Sequence, residues 1–123
     1  MVNVMLVDDE ASIRRALRAL FERTGFQVSE AASAEAALAA VAAGPTPDAM
    51  VCDVLMPGKN GVALYDALVE TAPGLAGRIV FLTGAAHEPA VCAPIEARGV
   101  PLVSKFDDLH LVVDAVRVGL LKG

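Results

Sequence analysis

The residues able to do chemistry in this 123-residue chain stand at the ends of apolar runs. Asp8, Asp9 and Glu10 follow the run ending at Val7. Asp53 follows Ala49-Met50-Val51-Cys52, Thr83 closes Ile79-Val80-Phe81-Leu82, and Lys105 follows Val100 to Ser104. Carboxylates gathered in one cleft repel each other and raise each other's pKa unless a cation lies among them. An all-oxygen set with open positions suits Mg²⁺, which keeps waters and bridges to phosphate oxygens. A lysine and a hydroxyl opposite the acids would complete a cradle for a phosphoryl group. A lone carboxylate facing that cradle, here Asp53, is a candidate phosphoryl acceptor.

The elements that must bring these residues together are legible from periodicity. Five short apolar runs read as strands: Val2–Val7, Phe26–Ala31, Ala49–Cys52, Arg78–Thr83 and Val100–Ser104. Strands this apolar belong in a sheet covered on both faces. Helical patterns alternate with them. Ile13, Leu17, Leu20 and Phe21 recur at helical spacing opposite Arg14, Arg15, Arg18 and Glu22, which read as a solvated face, and Thr24-Gly25 stops that helix. Ser33 caps a second helix over Ala34–Ala43, a third spans about Val62–Thr71 and ends before Pro73-Gly74, and the last spans about Asp107–Leu120. The fourth pattern, His87–Arg98, is poor. Pro89 can start it, but Pro94 falls in its interior, so a short, late-starting or kinked helix is expected. In the last helix Leu109, Val112, Val113, Val116 and Leu120 read as the core face. Leu111, Val118 and Leu121 fall away from it and offer a surface for a partner or a homodimer.

This β-α alternation defines a doubly wound α/β domain with a parallel sheet and right-handed crossovers. Ligands of such sheets lie beyond the carboxyl ends of the strands, where the six residues fall. The length leads to the expectation of one domain, 1–123, with no output domain after it. With 55% apolar and 20% charged residues the chain is not disordered, and no uninterrupted apolar stretch is long enough for a membrane span. A net charge of −5 and 4% aromatics speak against direct nucleic-acid binding. Two cysteines, Cys52 and Cys92, are too few for a disulfide scaffold or structural zinc, and a reduced, cytoplasmic protein is expected. His87 and His110 lack ligand spacing and read as surface residues.

Four pieces in order, Val7-Asp8-Asp9-Glu10, Asp53 to Gly61 (DVLMPGKNG), Leu82-Thr83-Gly84 and Lys105, resemble the receiver domain of two-component response regulators, including receivers attached to hybrid histidine kinases. The resemblance covers nearly the whole chain. It implies the (βα)₅ flavodoxin-like fold with strand order 2-1-3-4-5. It implies that Asp53 accepts a phosphoryl group from a sensor histidine kinase or histidine phosphotransfer protein. Asp9 would bind Mg²⁺ directly, Asp8 mostly through water, with Asp53 and the backbone carbonyl of Leu55 completing the protein ligands. Thr83 would bond a phosphoryl oxygen, Lys105 would pair with Asp53 or its phosphate, and Met56-Pro57 and Asn60-Gly61 would shape the following loop, the glycine allowing the turn. Such a domain modifies itself and turns over no external substrate.

The chain also departs from the family pattern. Phe106 stands where a proline usually follows the lysine, so the Lys105–Phe106 bond is either trans in a rebuilt loop or cis at a cost of about 2.5–4 kcal/mol. Leu102 replaces the aromatic three residues before the lysine. Leu55 and Ala85 occupy positions that often hold polar groups and cannot orient a hydrolytic water, so a long-lived phosphoryl group is expected.

Blander readings compete. Asp8 and Asp9 could simply cap the helix starting near Ala11, Lys105 could be a solvated lysine, and Cys52 reads as a buried core thiol. The principal alternative function is a degenerate receiver, a protein-interaction module that is never phosphorylated. An aspartyl-phosphate phosphatase would want a second acid two residues after the nucleophile, where Leu55 stands. A flavin-binding module would not place Asp8-Asp9-Glu10 at a phosphate loop.

Overall fold

The computed structural model describes residues 1–122, and in it the expected alternation becomes a single five-stranded parallel sheet. In chain order the elements are β1 (Asn3–Val7), α1 (Ala11–Arg23), β2 (Gln27–Ala31), α2 (Ala34–Ala43), β3 (Ala49–Asp53), α3 (Gly61–Thr71), α4 (Pro73–Ala76), β4 (Ile79–Thr83), α5 (Pro89–Arg98), β5 (Leu102–Ser104) and α6 (His110–Lys122). The strand order is β2-β1-β3-β4-β5, the doubly wound order expected from the sequence.

Side chains alternate across the pleat and divide the core in two. Met5, Val7, Met50, Cys52, Ile79 and Phe81 pack toward α2, α3 and α5. Val4, Leu6, Ala49, Val51, Val80 and Leu82 face α1 and α6 through Leu17, Phe21, Val112, Val113 and Val116. In α6 the exposed large apolar residues are Leu111, Val118 and Leu121, as its periodicity indicates. No helix among the described residues is long and apolar enough to cross a membrane.

Three elements depart from the sequence reading. A four-residue helix, α4, forms after Pro73, because proline at the first helical position gives up only an N–H that a helix would leave unpaired anyway. Helix α5 starts at Pro89, two residues later than the pattern, and continues through Pro94 for ten residues in all. Proline there removes one backbone bond, to the carbonyl of Ala90, and Ala90 is exposed, so water can take its place. Pro89 starts this helix and Gly99, in the left-handed region at φ 69°, ends it. Helix α6 begins at His110 rather than near Asp107. The intervening residues form a turn in which Asp107 N donates to the Ser104 carbonyl at 3.2 Å, and Asp108 Oδ1 accepts from His110 N at 2.9 Å.

Candidate functional site

The sheet delivers all five sequence-identified side chains to its carboxyl rim. Asp8 follows β1, Asp53 and Thr83 are the last residues of β3 and β4, and all three are buried, with Asp9 exposed beside them. One carboxylate oxygen from each of Asp8, Asp9 and Asp53 lies within 4.8 Å of the others. Above them opens a cleft of about 400 Å³ whose walls include Asp53, Thr83, Lys105, Glu10, Leu55 and Phe106.

Lys105 reaches into this cluster although no proline follows it. Its peptide bond to Phe106 is trans, since the cis bond among the described residues is Gly44–Pro45. Its N–H donates to the Thr83 carbonyl at 2.9 Å, extending the β4–β5 ladder by one residue and aiming the side chain along the rim. Lys105 Nζ lies 3.3 Å from Asp53 Oδ2, 3.1 Å from Asp8 Oδ2 and 2.9 Å from Glu10 Oε1. Only the contact with Glu10 has hydrogen-bond geometry. Lys105 is therefore not a solvated lysine, and Glu10, placed at the rim by the sequence but given no role there, is its hydrogen-bonded neighbour. Its place beside Asp9 was the available signal, but its pairing with a residue 95 positions away depends on the fold.

The electrostatics follow from burial. Burial first, and the charge of Asp8 second, push the Asp53 carboxyl up to about 6, against the pull of Lys105. Burial also raises Asp8, partly offset by the Glu10 N–H and by Lys105. Burial pulls the Lys105 ammonium down, but the bond to Glu10 and the charges of Asp53 and Asp8 outweigh it and hold the lysine firmly protonated. Burial likewise raises the Cys52 thiol, keeping it an inert core group.

Asp8 is not the helix cap of the blander reading. Residue Glu10 is the N-cap of α1 and makes no side-chain cap bond, while Asp8 Oδ1 accepts from Glu10 N at 2.8 Å. Its other oxygen, Oδ2, is buried without a hydrogen-bond partner and points its charge at the cluster. A buried carboxylate oxygen that has the Lys105 ammonium at 3.1 Å but no directed hydrogen bond, beside two further carboxylates, belongs to a donor set suited to a hard divalent cation. Arg14 and Arg18 are likewise more than a solvated face. Both pair with Glu30 on β2, and Arg14 also donates to the Asp8 carbonyl, tying α1 to the site.

The loop after Asp53 is built by two glycines with different duties. Gly61 does not serve the turn. A Cβ there would lie 2.6 Å from the Asp53 carbonyl oxygen and 3.1 Å from the Phe81 ring, so glycine lets α3 begin directly behind the end of β3. The turn falls to Gly58, at φ 78°. Asn60 caps α3 by accepting from Ala63 N at 2.9 Å, and Glu35 of α2 clasps the loop by accepting from Lys59 N at 3.1 Å. Leu55 lies between these supports. Its N–H donates to Asp53 Oδ1 at 3.3 Å, and its side chain is exposed at the cleft mouth. Thr83 Oγ1 accepts from Ala85 N at 3.1 Å, which leaves the hydroxyl proton available to donate into the cleft.

A doubly wound sheet carrying three carboxylates, a hydroxyl and a lysine on one rim defines a class, and comparison with known proteins specifies it. The sequence profile of the response regulator receiver domain family matches residues 4–117, and the chain belongs to that family. It is similar to the C4-dicarboxylate transport transcriptional regulatory protein DctR of Rhodobacter capsulatus, at 36% identity over 112 residues, 89% of this chain and 55% of that protein. It is also similar to the sensor kinase CckA of Brucella abortus, at 36% over 105 residues, 84% of this chain and 10% of that protein. The chain thus spans about half of the first relative and a tenth of the second. In fold it matches the response regulator TrrA of Thermotoga maritima, solved in complex with Mg²⁺-BeF, with a TM-score of 0.82, 22% identity and coverage of 97% of this chain and 99% of the other. Receiver domains act in two-component signalling with sensor histidine kinases or phosphotransfer proteins.

Proposed function

We propose that Asp53 is the phosphoryl acceptor of this receiver and that Thr83 and Lys105 bind the transferred group. The observation that carries the reading is the buried Asp53 carboxylate facing the Lys105 ammonium at 3.3 Å on the floor of an open cleft. With its pKa near 6, Asp53 is mostly ionised at neutral pH yet more basic than an ordinary aspartate, which suits a nucleophile. A carboxylate oxygen of Asp53 forms the bond to phosphorus as the bond to the donor atom breaks, the electron pair leaving with the donor. Lys105 meets the negative charge on the phosphoryl oxygens, and the Thr83 hydroxyl donates to one of them. Asp8, Asp9, Asp53 and the Leu55 carbonyl would hold Mg²⁺. When bound, that ion neutralises phosphoryl charge among carboxylates that would otherwise repel it.

The donor is a sensor histidine kinase or a histidine phosphotransfer protein, in the cytoplasm, where the two unpaired thiols stay reduced. The module modifies itself and turns over no external substrate. The apolar Leu55 and Ala85 beside the acceptor leave no side chain to orient an attacking water, so the phosphoryl group is long-lived. The exposed Leu111, Val118 and Leu121 of α6 support a second copy of the chain as a partner.

Intact mass after incubation with acetyl phosphate, with and without Mg²⁺, tests the central reading. A Mg²⁺-dependent gain of one phosphoryl group, absent in Asp53→Asn, is expected. No gain in the parent chain would turn the reading to an interaction module that is never phosphorylated. Decay of the group within seconds in the presence of Mg²⁺ would remove the claim of a long lifetime.

A further inference from the structure

Three carboxylates compete for one ammonium at this rim, and they are not equivalent. An ammonium has three N–H donors, and the contacts of Lys105 Nζ go to Glu10, Asp8 and Asp53. The shortest, and the one with hydrogen-bond geometry, goes to Glu10. A phosphoryl group on Asp53 takes over that residue's contact and, with more than one charged oxygen, competes for a second donor, so either Glu10 or Asp8 must give way. The Asp8 side chain is only 3% exposed and would be left as a poorly solvated charge, whereas Glu10 is 55% exposed and regains water on release.

We infer that Glu10 is a positioning residue that latches Lys105 in the unmodified state and is released when Asp53 is phosphorylated. The inference rests on Asp53 being the acceptor. Glu10 touches neither the donor nor the reacting atoms and acts through Lys105. In the unmodified state the lysine is drawn toward the rim, and its contact with Asp53 Oδ2 is an ion pair without a directed bond. Uptake of the phosphoryl group requires exchange of the Glu10 bond for one to a phosphoryl oxygen. Once exchange is complete, Glu10 no longer influences the site. The latch therefore slows formation of the phosphorylated state and leaves its decay alone.

Two variants separate this from simple repulsion between Glu10 and an incoming anion. Glu10→Gln removes the charge. Glu10→Asp keeps the charge but is one methylene too short to hold Lys105. Phosphorylation by acetyl phosphate is followed by intact mass, with Mg²⁺ saturating for each variant and ionic strength fixed. In the reaction the P–O bond to the acetyl group breaks, acetate leaves with the electron pair, and the phosphorus is taken by Asp53. Both variants are expected to form the phosphorylated protein about two- to fivefold faster than the parent, the scale of an exposed ion pair, with unchanged decay and thermal midpoint. Acceleration by Glu10→Gln alone would replace the latch with plain charge repulsion, and parental rates in both variants would remove it. Equal changes in formation and decay would also overturn it. A parent chain that takes no phosphoryl group overturns the acceptor reading itself, and this inference with it.

Discussion

Asp53 and the Lys105 ammonium that faces it sit on two unlike halves of the sheet. At the centre, β3 and β4 are buried along all five of their residues, and Asp53 and Thr83 are their last positions. At the edge, β5 has three residues, all half-buried, and the neighbouring α5 contributes a single fully buried side chain, Ile95. What holds α5 to α3 is a two-pronged ion pair, Arg98 Nε and Nη2 to the two oxygens of Asp66 at 2.9 and 2.8 Å. Asp53 is thus anchored in buried core, and Lys105 hangs from the thinnest part of the fold. A well-packed strand end keeps the Asp53 carboxylate in place, while a lightly held edge can change its packing when the charge on Asp53 changes.

Phe81→Ala should break the central half most severely. The ring is fully buried and makes an edge-on contact with Tyr65, so a loss of about 3–5 kcal/mol is expected in urea unfolding. A loss below about 1 kcal/mol would show the centre to be no firmer than the edge.

The next effect is one of charge and of opposite sign. Asp53 is nearly fully buried with its pKa near 6, against 3.8 ordinarily, so between about pH 4 and 6 the folded state holds a proton that the unfolded chain does not. Stability therefore falls as pH rises through that window and stays low above it. Asp53→Asn removes the cost and should add stability of up to about 3 kcal/mol at pH 7.5, fading to none near pH 4. A pH-independent gain would point to packing instead. A saturating divalent cation should shrink the difference by stabilising only the parent.

Gly61→Ala tests the junction behind the acceptor. Its Cβ meets backbone at 2.6 Å, so α3 must shift, and a loss of about 1–3 kcal/mol with slower phosphorylation is expected. The smallest effect belongs to the edge. Arg98→Gln should cost less than about 1 kcal/mol overall yet speed amide exchange in α5 without altering β3. Equal acceleration in both elements would erase the distinction between the halves.

Much of this was legible in the residues. The strand runs, the cap at Ser33, whose Oγ accepts from Ala36 N, and the core face of α6 follow from local pattern. Other features were not legible, for definable reasons. Periodicity marks Pro94 as a breaker, but only the exposure of Ala90 shows that a lost bond there is tolerated. The missing proline after Lys105 made its reach doubtful, and the backbone bond to Thr83 restores it. Gly61 looks like a turn residue in sequence, while the backbone turn lies at Gly58.

The sequence by itself determined which residues share the rim. In a parallel sheet every strand ends on the same side, so the polar residue closing each apolar run must arrive there. Only the tertiary structure decided how those residues pair. Lys105 meets Glu10 and Asp8 across nearly the whole length of the chain, Glu35 clasps the loop at Lys59, and Gly61 clears the back of Asp53. Such contacts depend on distances of a few ångström between elements remote in sequence, and no local pattern of residue types encodes them.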